Sequence, residues 1–96
     1  MIRHVVVCQF RDDASQEVID DFLGAIAGVR TEGLRSLTFG TDLGLRPGNA
    51  SYSLVADFDD ADGYQRFDED PEHQRIRATI APIVVSVVRC QFALTG

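Results

Sequence analysis

The sequence predicts an α+β fold in which a four-stranded antiparallel sheet carries helices on one face. Three observations lead there. Segments at both ends and in the middle of the chain alternate with the period of two that a β-strand imposes, and two stretches carry apolar stripes at helical spacing behind recognisable caps. Their order is β, α, β, β, α, β, with the second helical segment broken in two. At 96 residues the chain is read as one domain, residues 1–96, long enough for one core yet small enough to leave apolar surface in need of cover.

The first strand is Ile2 to Phe10. Ile2, His4, Val6, Cys8 and Phe10 fall on one face and Val5, Val7 and Gln9 on the other, so both faces are largely apolar. A strand of that kind is central and covered twice. Arg11 to Ala14 forms a turn. Ser15 then caps a helix whose inward stripe is Val18, Ile19, Phe22, Leu23 and Ile26, with Gly28 or Gly33 ending or following it.

Leu34 to Leu43 reads as the second strand, with Leu37 and Phe39 on one face, Arg35 on the same parity, and Gly40 as a bulge position. Gly44 to Asn49 is a loop by its turn residues. Ser51 to Phe58 is the third strand, in which Tyr52, Leu54, Ala56 and Phe58 alternate with Ser53, Val55 and Asp57, and it completes a central hairpin.

Asp59, Asp60 and Asp62 read as helix-start chemistry for a short helix carrying Tyr64 and Phe67. In the stretch FDEDPEHQRI, Asp70 can accept from the free amides of a new helix, Pro71 suits its first position, and Glu72 suits the positive end of its dipole. That helix should stop near Pro82. His73 lies in its first turn and shares a face with Ile76 and Ile80. Ile83 to Leu94, rich in β-branched residues, is the last strand.

Together these elements give a ferredoxin-like βαββαβ arrangement. The sheet face away from the helices carries Val5, Val7, Val55 and Val88, a patch that a second copy packed face to face would cover. A homodimer is therefore expected.

Composition narrows the function. Nine basic against fifteen acidic residues give a net charge of -6, which opposes nucleic acid and anionic membranes as partners. No apolar run approaches a membrane span, and the N-terminal segment alternates as a strand rather than as a secretion signal, so a cytoplasmic location is the default. Cys8 and Cys90 lack CxxC spacing and read as free buried thiols. Two histidines far apart, with no close carboxylate pattern, argue against a metal site. No phosphate loop or nucleophile elbow is present.

The chain resembles the stress-responsive A/B barrel (Dabb) family in its N-terminal MIRHVVVCQF, its GLRSLTFGTDL and YSLVADFDD strands, and its DPEHQ helix start. The resemblance implies subunits that pair through their sheets into a dimeric α+β barrel. It also implies a range of roles, from stress-induced proteins of undefined activity to a plant polyketide cyclase that needs no cofactor. In that cyclase a histidine matching His73 is the base, a second histidine matches His4, a third stands at the position of Tyr52, and a tyrosine stands at the position of Phe67. Phe67 cannot donate a hydrogen bond, which separates this chain from that particular cyclisation. Haem-degrading barrels rely on a Trp, and this chain has none.

The resemblance further turns the face bearing Tyr52 and Leu54 toward the helices, beside His4. Arg89 and Gln91 share parity with Val85 and Val87, and facing the same way they would add a cation and an amide suited to an anionic or enolate ligand. Two functions are thus carried forward, neither with a cofactor. One is proton transfer to a small hydrophobic or aromatic carbonyl compound by His73, with His4, Tyr52, Phe67 and Arg89 around the substrate. The other is a non-catalytic ligand-binding dimer in which His73 satisfies a backbone carbonyl or carboxylate, His4 needs only a hydrogen-bond partner, and Arg89 forms an ion pair.

Overall fold

The computed structural model describes residues 1–95. Strand β1 (Ile2–Phe10) is followed by helix α1 (Gln16–Ile26), strands β2 (Leu34–Thr41) and β3 (Tyr52–Phe58), helices α2 (Ala61–Glu69) and α3 (Pro71–Ala78), a 3-10 turn (Ala81–Ile83) and strand β4 (Val84–Ala93). The sheet order is β2-β3-β1-β4 with every neighbouring pair antiparallel. This is the ferredoxin-like α+β fold.

Local chemistry accounts for the helix starts. The Ser15 hydroxyl accepts from the Val18 amide, the Asp60 carboxylate from that of Gly63, and the Asp70 carboxylate from that of His73. Each fills one of the donors that a helix start leaves free. Ile19, Phe22 and Ile26 of α1, Phe67 of α2 and Ile76 of α3 are buried against Cys8, Phe10, Leu54, Ala56 and Phe58 of the sheet. The core is thus a single layer between the helices and one sheet face.

Several local expectations are corrected. The β2–β3 hairpin is not central, because β2 is an edge strand and β3 and β1 lie inside. The chain leaves β2 at Thr41, since Asp42 turns the backbone by accepting from the Gly44 amide and the Asn49 side chain, and Leu43 is left exposed. The irregularity in β2 falls at Arg35, between Leu34 and Ser36, while Gly40 pairs normally with Ser53. An extra residue there puts Leu34 on the inner face with Leu37 and Phe39, and sends Arg35 outward to pair with Asp59.

A second bulge lies in β4. Gln9 pairs with Ser86 but Phe10 with Val84, so Val85 is squeezed out and is 64% exposed, and Val84 takes the inner side. Cys90 lies opposite Val5 on the outer face and is exposed rather than buried. Helix α3 stops at Ala78, ahead of the turn that holds Pro82.

The outer sheet face leaves Val7 39%, Val88 67% and Phe92 46% exposed, with Val7 and Val88 directly opposite one another. Among the described residues no helix is long and apolar enough to cross a membrane.

Candidate functional site

A cavity of about 310 Å³ opens between the inner sheet face and the helices. Its floor comes from alternate positions of β1 (His4, Val6, Cys8), β3 (Tyr52, Leu54) and β4 (Val87, Arg89), and its roof from Phe22 and Ile26 of α1, Tyr64, Phe67 and Asp68 of α2, and His73 and Arg77 of α3. The period-two rule and the i, i+3, i+4 rule therefore converge on one space. The volume lies within the range of small-molecule sites, and the lining is mostly apolar with a few polar groups. All five residues expected around a ligand, His73, His4, Tyr52, Phe67 and Arg89, line it.

His73 is fixed at two points. Its amide is held by the Asp70 cap at 2.9 Å, and its ring Nδ1 lies 2.7 Å from the Phe67 carbonyl oxygen. That carbonyl is in the last turn of α2, where it also accepts from the Asp70 amide at 3.4 Å, and its second lone pair meets the His73 ring. A carbonyl only accepts, so Nδ1 carries the hydrogen and Nε2 keeps its lone pair. Nε2 makes no hydrogen bond to any of the described residues and is not sealed off. Burial pushes the imidazole pKa below its usual value. The Phe67 carbonyl, Asp68 and Asp70 oppose this, and Arg77 reinforces it. Glu72, next to His73 in the chain, is turned toward Arg75. The ring is neutral near pH 7.

His4 is buried and its Nδ1 lies 2.8 Å from the amide nitrogen of Gln91, its cross-strand partner. Burial first, and the charge of Arg89 second, push its pKa down. Phe67 packs against both imidazoles, its ring centre 6.5 Å from that of His4 and 4.0 Å from that of His73. Its backbone oxygen pins His73 while its ring packs against both histidines.

Tyr52 packs on Phe10 and Phe22, and its buried hydroxyl has no hydrogen-bond partner among the described residues. Burial pushes the phenol far up, so it stays protonated. Arg89 pairs across the strands with Val6 on the inner side, and no carboxylate of the described residues lies within ion-pair distance of it. The ion pair expected for Arg89 is therefore not made to any described residue of the single chain.

Three further residues belong to the site. Tyr64 precedes Phe67 by one helical turn, and its ring centre lies 4.9 Å from that of His4. Burial, then Asp68, raises its pKa and keeps the hydroxyl a donor. Arg77 follows His73 by one turn and pairs with Asp68 at 2.8 Å. Helical spacing from Phe67 and His73 was the signal that could have found Tyr64 and Arg77; Asp68 then follows as the acid that Arg77 holds. Among the described residues no group of three or more His, Cys, Asp or Glu side chains could hold a metal ion.

No curated protein matches the chain. Solved structures do. A dimeric ferredoxin-like protein of unknown function from Thermobifida fusca YX is 33% identical over 97% of this chain and 90% of its own, with a TM-score of 0.90. A Dabb family protein with a ferredoxin-like fold from Mesorhizobium loti is 19% identical over 99% of this chain and 97% of its own, at 0.74. The hydroxynitrile lyase of Passiflora edulis is 18% identical over 98% of this chain and 93% of its own, at 0.82. The profile of the Stress Responsive A/B Barrel Domain matches residues 2–93, nearly the whole length described above, and the chain belongs to that family, Dabb.

Proposed function

We propose that this Dabb protein is a homodimer, paired through its outer sheet face, that binds a small hydrophobic or aromatic carbonyl compound in the cavity and uses His73 for cofactor-independent proton transfer. One observation carries the reading: Nδ1 of His73 is committed to the Phe67 carbonyl, which leaves a neutral Nε2 lone pair accessible in a mostly apolar cavity. A neutral imidazole of that kind suits removal of a proton next to a carbonyl group. The electrons of the broken C–H bond form a C=C bond, the carbonyl oxygen becomes an enolate, and the proton rests on Nε2 until it returns to carbon. His4 and Arg89 line the same cavity and supply a donor and charge for the developing oxyanion, while Tyr52, whose hydroxyl is sealed off, shapes the wall beside them. Tyr64 restores a phenol one turn from the place where Phe67 lacks one. The Passiflora neighbour is by name a lyase of hydroxynitriles, which is one enzymatic use of this fold.

The test is hydrogen–deuterium exchange at the α-carbon of phenylacetone in D2O, followed by NMR. Wild type should accelerate exchange and His73→Ala should lower the rate by about 100-fold or more. Equal rates would remove His73 from the chemistry. The same Phe67 hydrogen bond also favours the second reading, a binding protein in which His73 is structural. In that case His73→Ala lowers stability by about 1–3 kcal/mol while phenylacetone binding survives and wild type shows no exchange activity.

A further inference from the structure

We infer that the two cavity imidazoles are locked in opposite tautomers, with Gln91 as the positioning residue that makes His4 an N–H donor to the carbonyl oxygen while His73 removes the neighbouring proton. The inference rests on the proton-transfer reading above and assigns the electrophilic half of it. The anchors of the two rings differ in kind. His73 Nδ1 faces a carbonyl oxygen, which can only accept. His4 Nδ1 faces the Gln91 amide nitrogen at 2.8 Å, which has only hydrogens to give. A neutral imidazole carries one N–H, so an accepting Nδ1 on His4 leaves the hydrogen on Nε2. A donating Nδ1 on His73 leaves the lone pair on Nε2.

Among the described residues neither Nε2 atom has a hydrogen-bond partner, and neither is sealed off. Phe67 packs against both rings, and the two imidazoles make no hydrogen bond to each other. One apolar chamber thus offers a donor and an acceptor from chemically identical side chains. A ketone with an acidic α-C–H presents the complementary pair. Its oxygen accepts from His4 and its α-hydrogen meets His73. As that C–H bond breaks, its electrons form C=C, the carbonyl π pair moves onto oxygen, and the His4 hydrogen bond strengthens as the oxygen gains charge. Return of the proton from His73 to carbon closes the cycle without any other reactant.

Gln91 acts through His4, so its test needs a signal that loss of packing alone would not move. Nitrogen-15 spectra of the two histidines report tautomers directly. In wild type at about pH 9, where both rings are neutral, His4 should be protonated on Nε2 and His73 on Nδ1. The near-isosteric Gln91→Glu replaces the donor with an acceptor, so His4 should carry its proton on Nδ1 and titrate about one unit higher or more. The His73 signals should stay in place, and α-exchange of phenylacetone at the same pH should fall about tenfold or more. Wild-type rings sharing one tautomer, or exchange unchanged in Gln91→Glu while still lost in His73→Ala, overturn this inference alone. Exchange that His73→Ala leaves intact overturns the proton-transfer reading beneath it.

Discussion

His73 and His4 each spend one ring nitrogen on structure and keep the other for the cavity, so structural and chemical roles do not compete at these residues. Parity and helical spacing set the faces of His4, Tyr52, Phe67, His73 and Arg89, the family resemblance turned those faces toward one another, and the structure has all five lining one cavity. Neither spacing nor resemblance could show that Phe67, which lacks the phenol expected at its place, supplies the carbonyl that sets the His73 tautomer. That contact joins the last turn of one helix to the first turn of the next, and depends on the angle between them. Both imidazoles have pKa values pushed down, chiefly by burial, and this has a consequence for stability. Below the unfolded histidine pKa, about 6.5, the unfolded chain takes up protons that the folded one resists, so stability is fully present above that value and falls as pH drops toward the folded pKa values. The ion-paired carboxylates of Asp57 and Asp59 are lowered too, but from 3.8, and act in a separate, more acidic window. Urea midpoints measured between about pH 7.5 and 5 should therefore decline with acid, and the decline should flatten in a His4→Phe, His73→Phe double variant. A wild-type midpoint that is flat across this window would show that the rings are not desolvated as described.

At the scale of elements, strand faces follow alternation wherever the ladder is regular, and fail at the two bulges. A bulge is a property of hydrogen bonding between two strands, which one strand's pattern does not contain. Hence Arg35 was placed with Leu37, and Val85 with Val87, although the extra residue turns each away. The exposure of Cys90 has another origin, for the outer face is open in the single chain however apolar its composition. Helix starts were legible because Ser15, Asp60 and Asp70 act within three residues of their own positions. The seating of α2 on the sheet was not. It depends on Gly33, at φ +92°, where an added Cβ would lie 3.0 Å from the Gly63 Cα. Gly33→Ala should therefore cost at least about 1 kcal/mol, through both the left-handed backbone and the close approach. Gly63→Ala meets its neighbours only at 3.4 Å and beyond, and should be nearly neutral because the helix gains a better former. Chemical denaturation of the two single variants checks the contrast, and equal losses would place the tight contact elsewhere.

For the whole molecule, one layer of helices covers one face of the sheet, and the other face leaves Val7, Val88 and Phe92 open. A 96-residue chain has little core to spare, and an apolar sheet face in water is a poor end state for it. The relative from Thermobifida fusca, dimeric by its description and 33% identical, makes a second copy the natural cover. Val88 is the sharpest probe of the proposed pairing, because it is the most exposed of the three residues and lies opposite Val7 in the ladder. Val88→Asp would bury a charge without a partner and should weaken dimerisation by at least about tenfold, whereas Val88→Ala, which only trims apolar area, should weaken it less. The net charge of -6 on each copy adds an independent signature: two acidic subunits repel, so raising salt should tighten the wild-type dimer. Sedimentation of the three proteins at low and moderate ionic strength measures both effects, and a wild-type mass of one chain at micromolar concentration would refute the pairing. The cavity lining described here comes from a single chain. A Val88→Asp monomer that keeps its circular dichroism should therefore retain His73-dependent exchange, and loss of exchange in such a folded monomer would mean that the subunit contact shapes the site.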